Sequence, residues 1–332
     1  MTRKETSTRT DRRSFLKATG GVAAAAGLAG CTGALQSSSS YPSEQVEMIV
    51  PWSAGGGTDR TGRKLANLAG EHMDTEFFVS NQTGGSGSVG FNAIANADPD
   101  GYTVGVTTVE ICTISHLGIA EVNPEDLTSV MQYNFDPASL TVPEDAPYDT
   151  VEEFVQYAKD NPGEISISNS GIGAIWHLSA AGFAQQAGID VKHVGYDGGA
   201  PATKAVLNGE VQATTASAAE VAGQVQDGPL KTLGVFGDER VSIFPDVPTL
   251  KEAGYDFTMG AWRGLTVPND TPDERISQLH DAYKSVYDSD DFKSFMDENG
   301  FGTVYRDTEE FSSFMDSEYD RFADIIESLD LN

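Results

Sequence analysis

The stretch from Val46 to Ala69, VEMIVPWSAGGGTDRTGRKLANLA, constrains what this chain can fold into more than any other. An apolar run (Val46, Met48, Ile49, Val50) passes through Pro51-Trp52 into Ser53-Ala54-Gly55-Gly56-Gly57-Thr58-Asp59. An amphipathic segment with Leu65 and Leu68 at helical spacing follows. Apolar run, glycine-rich turn and helix together are the pattern of a β-strand feeding a helix through a loop whose bare backbone can approach a ligand closely. The first amides of a helix have no intrahelical partner and sit at the positive end of its dipole, so such a loop suits a carboxylate or phosphate. By itself the loop is equally compatible with a structural turn. It is not a Walker-type phosphate loop, because no Gly-Lys-Ser/Thr follows, and it lacks the Gly-x-Gly-x-x-Gly order of a dinucleotide fold.

The pattern recurs along the chain. Thr75 to Ser80 reads as a second strand, ending in the glycine-rich loop Asn81 to Gly90, with a helix over Phe91 to Ala97 and a third strand over Tyr102 to Val109. Between these, Asn96 to Gly101 begins like a calcium loop, but its twelfth position is Thr107 where a bidentate Glu is needed, so it reads as a turn. Glu121 to Val142 is strand-like at its end, and a helix over Asp149 to Asn161 has Asp149 or Thr150 as N-cap. A second alternation then runs through a strand at Ile165 to Ser168, the loop Asn169-Ser170-Gly171-Ile172-Gly173, a helix at Ala174 to Ala187, strands at Val191 to Tyr196 and Val211 to Thr215 around a helix at Ala202 to Asn208, and a closing strand at Lys231 to Phe236. Two such alternations predict an α/β fold of two lobes, each with a parallel sheet and crossover helices. Three acidic amphipathic helices near 272–288, 290–299 and 308–329 have no sheet of their own and are expected to pack on the first lobe.

Residues 1–30 read as a processed signal. Asp11-Arg12-Arg13-Ser14-Phe15-Leu16-Lys17 is a twin-arginine export motif ahead of an Ala/Gly-rich stretch too short to span a bilayer. Leu28-Ala29-Gly30-Cys31 resembles a lipobox, which makes Cys31 the expected lipid anchor on the outer face of the cytoplasmic membrane, and residues 31–43 a Ser-rich tether. Only Cys112 remains beyond it, so no intramolecular disulfide is expected. Removing residues 1–30 takes away six Lys/Arg and two acids, leaving 15 basic against 48 acidic side chains, a net charge of −33. Over a chain with periodic apolar residues, that excess predicts a carboxylate-covered surface suited to high salt rather than disorder. With no basic patch, nucleic acid is excluded as a partner.

Val50 to Asp59 resembles the first signature of the Bug-type substrate-binding proteins of tripartite tricarboxylate transporters. Further stretches agree in order: Asn81 to Gly90 with Pro99-Asp100-Gly101-Tyr102-Thr103, Asn169 to Gly173 with His177-Leu178, Tyr196 to Ala202 with Gly209-Glu210-Val211, and Phe244 to Thr249 through Gly254. The resemblance covers nearly all of the chain after the tether. It implies a two-lobed type II periplasmic-binding-protein (Venus-flytrap) fold, with lobe one from 44–136 plus 238–332 and lobe two from 137–237. The implied protein is a monomer without cofactor or metal that captures a small carboxylate between its lobes and delivers it to a membrane permease of the tripartite tricarboxylate type. By the family pattern, one carboxylate is held by Ser53, Ala54, Gly55, Gly56, Gly57, Thr58 and Asp59 and by the facing Asn169, Ser170, Gly171, Ile172 and Gly173. Asp197 stands where the family often has a basic residue, and Thr107, Thr108 and Glu110 occupy a stretch that is usually Ser/Thr-rich. Both departures would add negative charge near the cleft.

Thr108, Trp52, His177 and Arg263 complete the candidate ligand residues. Asp59 either complements a helix dipole or reaches the ligand; His177 either packs between loop and helix or lines the site. Trp52 either walls the pocket or packs at the strand end. Arg263 either meets a distal carboxylate or pairs with one of the many acids. Glu110 is most simply solvated; if it lined the cleft it would favour a ligand with an amino group. A sensor subunit of the same fold, handing its closed state to a membrane kinase, is the second reading. An enzyme is the third and weakest, since there is no Gly-x-Ser-x-Gly elbow, no His-Glu-x-x-His and no metal-ligand spacing among the five histidines.

Overall fold

The computed structural model describes residues 41 to 329. The export motif, Cys31 and most of the expected tether lie outside the described residues. The last tether residues are docked: Tyr41 donates its hydroxyl to the Gly101 carbonyl and packs edge-on against Tyr102, with Arg275 over its ring.

The first alternation forms as read. β1 (Val46–Val50) feeds α1 (Gly57–Met73), β2 (Phe77–Asn81) feeds α2 (Ser88–Ala95), and β3 (Thr103–Thr108) follows, with β1 paired parallel to both other strands. The apolar stripe of α1, with Leu65, Ala66 and Ala69 buried, covers Met48, Val50, Val104 and Val106.

The stretch that looked only weakly strand-like becomes the longest strand of the described chain, β4 (Leu127–Pro143). Helix α3 (Val151–Asp160) follows, capped by the Thr150 hydroxyl, which accepts from the Glu153 amide. The second alternation is β5 (Ser166–Asn169), α4 (Ile175–Ala187), β6 (Lys192–Gly195), α5 (Gly199–Leu207), β7 (Ala213–Ser217), α6 (Ala218–Gln226) and β8 (Leu230–Val235). Here β5 runs parallel to β6 and β7. The sequence reading passed over α6, whose start is a Ser217/Glu220 capping box.

The remaining elements are β9 (Gly260–Pro268), α7 (Asp273–Asp288), α8 (Asp290–Glu298), β10 (Thr303–Arg306) and α9 (Thr308–Leu329). Strand β10 was not anticipated.

The expectation of purely parallel sheets needs correcting. β4 pairs antiparallel with β9 and β10 up to Pro137, and from Ala138 onward antiparallel with β7 and β8, while β9 also pairs antiparallel with β3. One long strand thus links two parallel groups: β7-β5-β6 pairs with it directly, and β2-β1-β3 is joined to it through β9. The switch falls at Pro137, which has no N–H to give to a ladder and so fits where one set of partners ends.

Thr249 bridges Val235, and Val241, Ile243 and Val247 pack with Phe244 on α6. The chain pairs again with the first group at β9, which begins at Gly260, after Ile243 has already packed against Gly300.

β9 is buried along its whole length, as expected for a strand with neighbours on both edges. Adjacent side chains on it face opposite ways. Trp262 packs edge-on against Phe311 and Phe314 of α9 and donates its indole N–H to Glu318, while Arg263 reaches Thr58 at the start of α1.

Candidate functional site

A narrow cleft lies where the loop after β1 meets the loops before α4 and α5. From the first loop it is lined by Trp52, Ser53, Gly56, Gly57 and Thr58; from the end of β3 by Thr108 and Glu110. Ser170, Ile175 and Trp176 close one side, Gly199 and Glu220 another, and Ala261 and Arg263 of β9 form the floor.

Three helices begin here without a side-chain cap. The N-cap positions of α1, α4 and α5 are Gly56, Ala174 and Gly198, none of which offers an acceptor. Their first amides therefore need partners from elsewhere or from a ligand. Two receive them from distant glutamates: the Gly57 amide donates to Glu220 Oε1 at 3.1 Å, and the Ile175 amide donates to Glu110 Oε1 at 3.0 Å.

Glycine is required at 57 by close approach. A Cβ there would stand 2.7 Å from Arg263 Nη2, 3.1 Å from Glu220 Cγ and 3.2 Å from the Phe301 ring. At Gly56 the same atom would meet only ordinary contacts of 3.6 to 3.9 Å.

Arg263 is 2% exposed, and its burial is made tolerable by pairing. Nη1 forms a salt bridge with Asp136 and a hydrogen bond with Asn134, and Nε donates to Thr58 Oγ1 at 3.0 Å. Burial by itself pushes the guanidinium pKa down, but Asp136, Glu220 and Tyr133 outweigh it and the net shift is upward, so the group stays charged. Among the described residues Nη2 makes no hydrogen bond, and the Ser53 hydroxyl is a buried group without a partner. Both belong to residues that line the cleft.

Glu110 is 3% exposed, which corrects the expectation that it is solvated. It ends a chain of hydrogen bonds in which Trp52 Nε1 donates to Thr108 Oγ1 at 3.1 Å and Thr108 donates to Glu110 Oε2. Burial raises its pKa, with the Thr108 and Ile175 hydrogen bonds opposing. Asp197, the other expected source of negative charge, is exposed and does not line the cleft.

Of the candidate ligand residues, Trp52, Ser53, Gly56, Gly57, Thr58, Thr108, Ser170 and Arg263 come together on the cleft wall. The others do not. Ala54 and Gly55 are exposed. Asp59 is turned back under its own loop, accepting from the Gly55 amide at 2.9 Å and from Asn81 at 2.8 Å and pairing with Arg63 at 2.9 Å. Burial pushes its carboxyl up, but these donors outweigh it and hold the pKa below the usual value.

Asn169 accepts from the Gly171 amide at 3.1 Å, which shapes the second loop from beneath. Ile172 is exposed, and its carbonyl accepts from Ser86 Oγ at 2.6 Å; the Gly173 carbonyl accepts from Thr113 Oγ1 at 3.3 Å. His177 also lies behind this loop, where its Nδ1 accepts the Gly173 amide at 3.0 Å and its ring meets His193 edge-on at 4.7 Å. Burial, then His193, lowers its pKa to about 4, so it is a neutral acceptor that shapes the loop.

Ile175, Trp176, Gly199, Glu220 and Ala261 were missed by the sequence reading. Glu220 carried one signal, the Ser-x-x-Glu spacing of a capping box, but that spacing does not announce a partner 163 residues away.

An α/β fold in which uncapped helix starts from both ends of one long strand face a shared cleft beside a buried arginine defines a periplasmic-type solute-binding protein. The chain belongs to the tripartite tricarboxylate transporter family of receptors: residues 61–331 match the family described as "Tripartite tricarboxylate transporter family receptor". These are solute-binding receptors and act outside the cytoplasm. The chain is 28% identical over 323 residues to the UPF0065 protein in the gbd 5' region of Cupriavidus necator, covering 96% of this chain and 98% of that one. A solved TctC solute-binding protein from Polaromonas is 36% identical, with a TM-score of 0.65 over 87% of this chain and 99% of its own. An R. palustris protein solved with adipate is 25% identical, with a TM-score of 0.82 over 87% of this chain and 98% of its own. No helix among the described residues is long and apolar enough to cross a membrane.

Proposed function

We propose that this chain, once exported by the twin-arginine route and lipid-anchored through Cys31, captures a small organic carboxylate in the cleft and presents it to a tripartite-type permease. The observation that carries this reading is the convergence on one cleft of the α1 and α4 starts, beyond the two amides that Glu220 and Glu110 already hold, with the unpartnered Ser53 hydroxyl and the buried Arg263. Helix-start amides and an arginine edge are together suited to a carboxylate. The adipate held by the R. palustris relative is in keeping with this chemistry.

The ligand enters and leaves by hinge motion of two lobes. One holds β1 to β3, β9 and the C-terminal helices; the other runs from Ala138 to about Met259. The hinge lies where Pro137-Ala138, Phe236 and Met259 pass between them, linked by the Ala138 amide to the Met259 carbonyl and the Met259 amide to the Phe236 carbonyl, each 2.9 Å. Contacts such as Ser86 to Ile172 and Arg60 to the Ala219 carbonyl belong to the closed state, which the ligand favours by bridging both lobes. The protein works as a monomer, and its acidic surface suits a high-salt exterior.

Titration calorimetry of the mature chain with mono-, di- and tricarboxylates tests the reading. Saturable one-to-one heat with at least one small acid is expected, and silence across the panel from folded protein would sink it.

A further inference from the structure

We propose that the ligand is an amino acid, one carboxylate plus one ammonium, and that Glu110 receives the ammonium; this rests on the carboxylate-capture reading above. The charges facing the cleft do not balance without such a cation. Arg263 is already matched by Asp136, with which it forms a salt bridge. Glu220 has Arg263 and Arg60 as electrostatic neighbours, although neither forms a salt bridge with it. Glu110 is 3% exposed and likewise has Arg263 as an electrostatic neighbour, but forms no salt bridge to any Lys, Arg or His among the described residues. With Glu110 ionised, two positive groups (Arg60, Arg263) against three carboxylates (Asp136, Glu110, Glu220) leave an excess of one negative charge. A dicarboxylate would raise that excess to three in a water-poor space, where like charges repel strongly. A zwitterion would leave it unchanged and supply the cation that Glu110 lacks.

The walls divide in the same sense. Ser53 Oγ is a buried donor without a partner, and it and the Arg263 guanidinium are suited to the carboxylate end. Trp52 and Trp176, two of the chain's three tryptophans, also line the cleft; Trp52 is joined to Glu110 through Thr108, and Trp176 follows Ile175, whose amide Glu110 accepts. Indole faces attract an ammonium as well as packing against alkyl carbon. Glu110 is held for that task by Thr108 and the Ile175 amide, which fix both carboxylate oxygens.

The rival is a protonated Glu110 that donates a hydrogen bond to a second ligand carboxylate. The experiment is titration calorimetry of the mature wild-type chain and Glu110→Gln, in two buffers of different ionisation enthalpy so that proton uptake is read. The probes are the standard amino acids and 4-aminobutanoate against 2-hydroxy acids, succinate, malate and adipate. The proposal expects amino acids to bind at least about tenfold more tightly than counterparts lacking the ammonium, without proton uptake. Glu110→Gln, which keeps the acceptor for Ile175, should erase that preference. Dicarboxylates binding more tightly, with proton uptake and undiminished in Glu110→Gln, would overturn it while leaving carboxylate capture standing. No binding by either panel would overturn both. The wild-type comparison decides the matter even if the variant fails to fold.

Discussion

Arg263 and His177 show how much one residue's surroundings decide. Arg263 could be read from sequence as a ligand contact or as an ion pair, and the structure makes it both a partner of Asp136 and a wall of the cleft. Replacing it by Met leaves Asp136 buried without its cation, and equilibrium urea unfolding should report a loss of about 3–5 kcal/mol. A loss below about 1 kcal/mol would contradict the pairing. His177 was legible as a residue near the second loop, but not its direction, because a sequence does not reveal which side of a loop a ring faces. Its folded pKa of about 4 lies below the ordinary 6.5, so the folded state resists protonation. Its contribution is fully present above pH 6.5 and is lost as the pH falls from there toward 4, on the order of 3 kcal/mol in total. The stability of wild type relative to His177→Gln should therefore fall as the pH drops from about 7 toward 4, and parallel pH curves would refute the assignment.

At the scale of elements, the strand-loop-helix units were readable because apolar runs, glycines and helical spacing lie close together in sequence. The long strand β4 was not, because its polar buried residues Gln132, Asn134 and Asp136 serve Arg263 and Arg306 rather than the apolar core. Helix α6 was overlooked despite its capping box, and with it Glu220. The two central glycines of the first loop differ in what they permit. Gly56→Ala should leave ligand affinity within about twofold, since its Cβ meets only ordinary contacts. Gly57→Ala must displace Arg263 Nη2, Glu220 or Phe301 and should weaken binding by about tenfold or more. Equal effects in calorimetry would show that close packing behind the loop is irrelevant to the site.

For the whole molecule, two groups of parallel strands, one joined to β4 directly and one through β9, explain why the two alternations were legible but the strand pairings were not. Alternation along the chain predicts parallel neighbours, whereas β9 returns from a distant part of the chain to pair with both β3 and β4. The large acidic excess predicts that the thermal midpoint rises as KCl goes from about 0.1 to about 2 M, because screening shortens the reach of like-charge repulsion. A flat or falling midpoint would separate the surface from that explanation. The central claim is that one cleft, built by helix starts on both groups and floored by Arg263, holds the carboxylate. The most direct measurement is a crystal structure with the tightest-binding acid from the calorimetric panel. The carboxylate should lie within hydrogen-bond reach of Ser53 Oγ and Arg263 Nη2, touching residues from both ends of β4. An acid bound anywhere else, or held by one end alone, would contradict it.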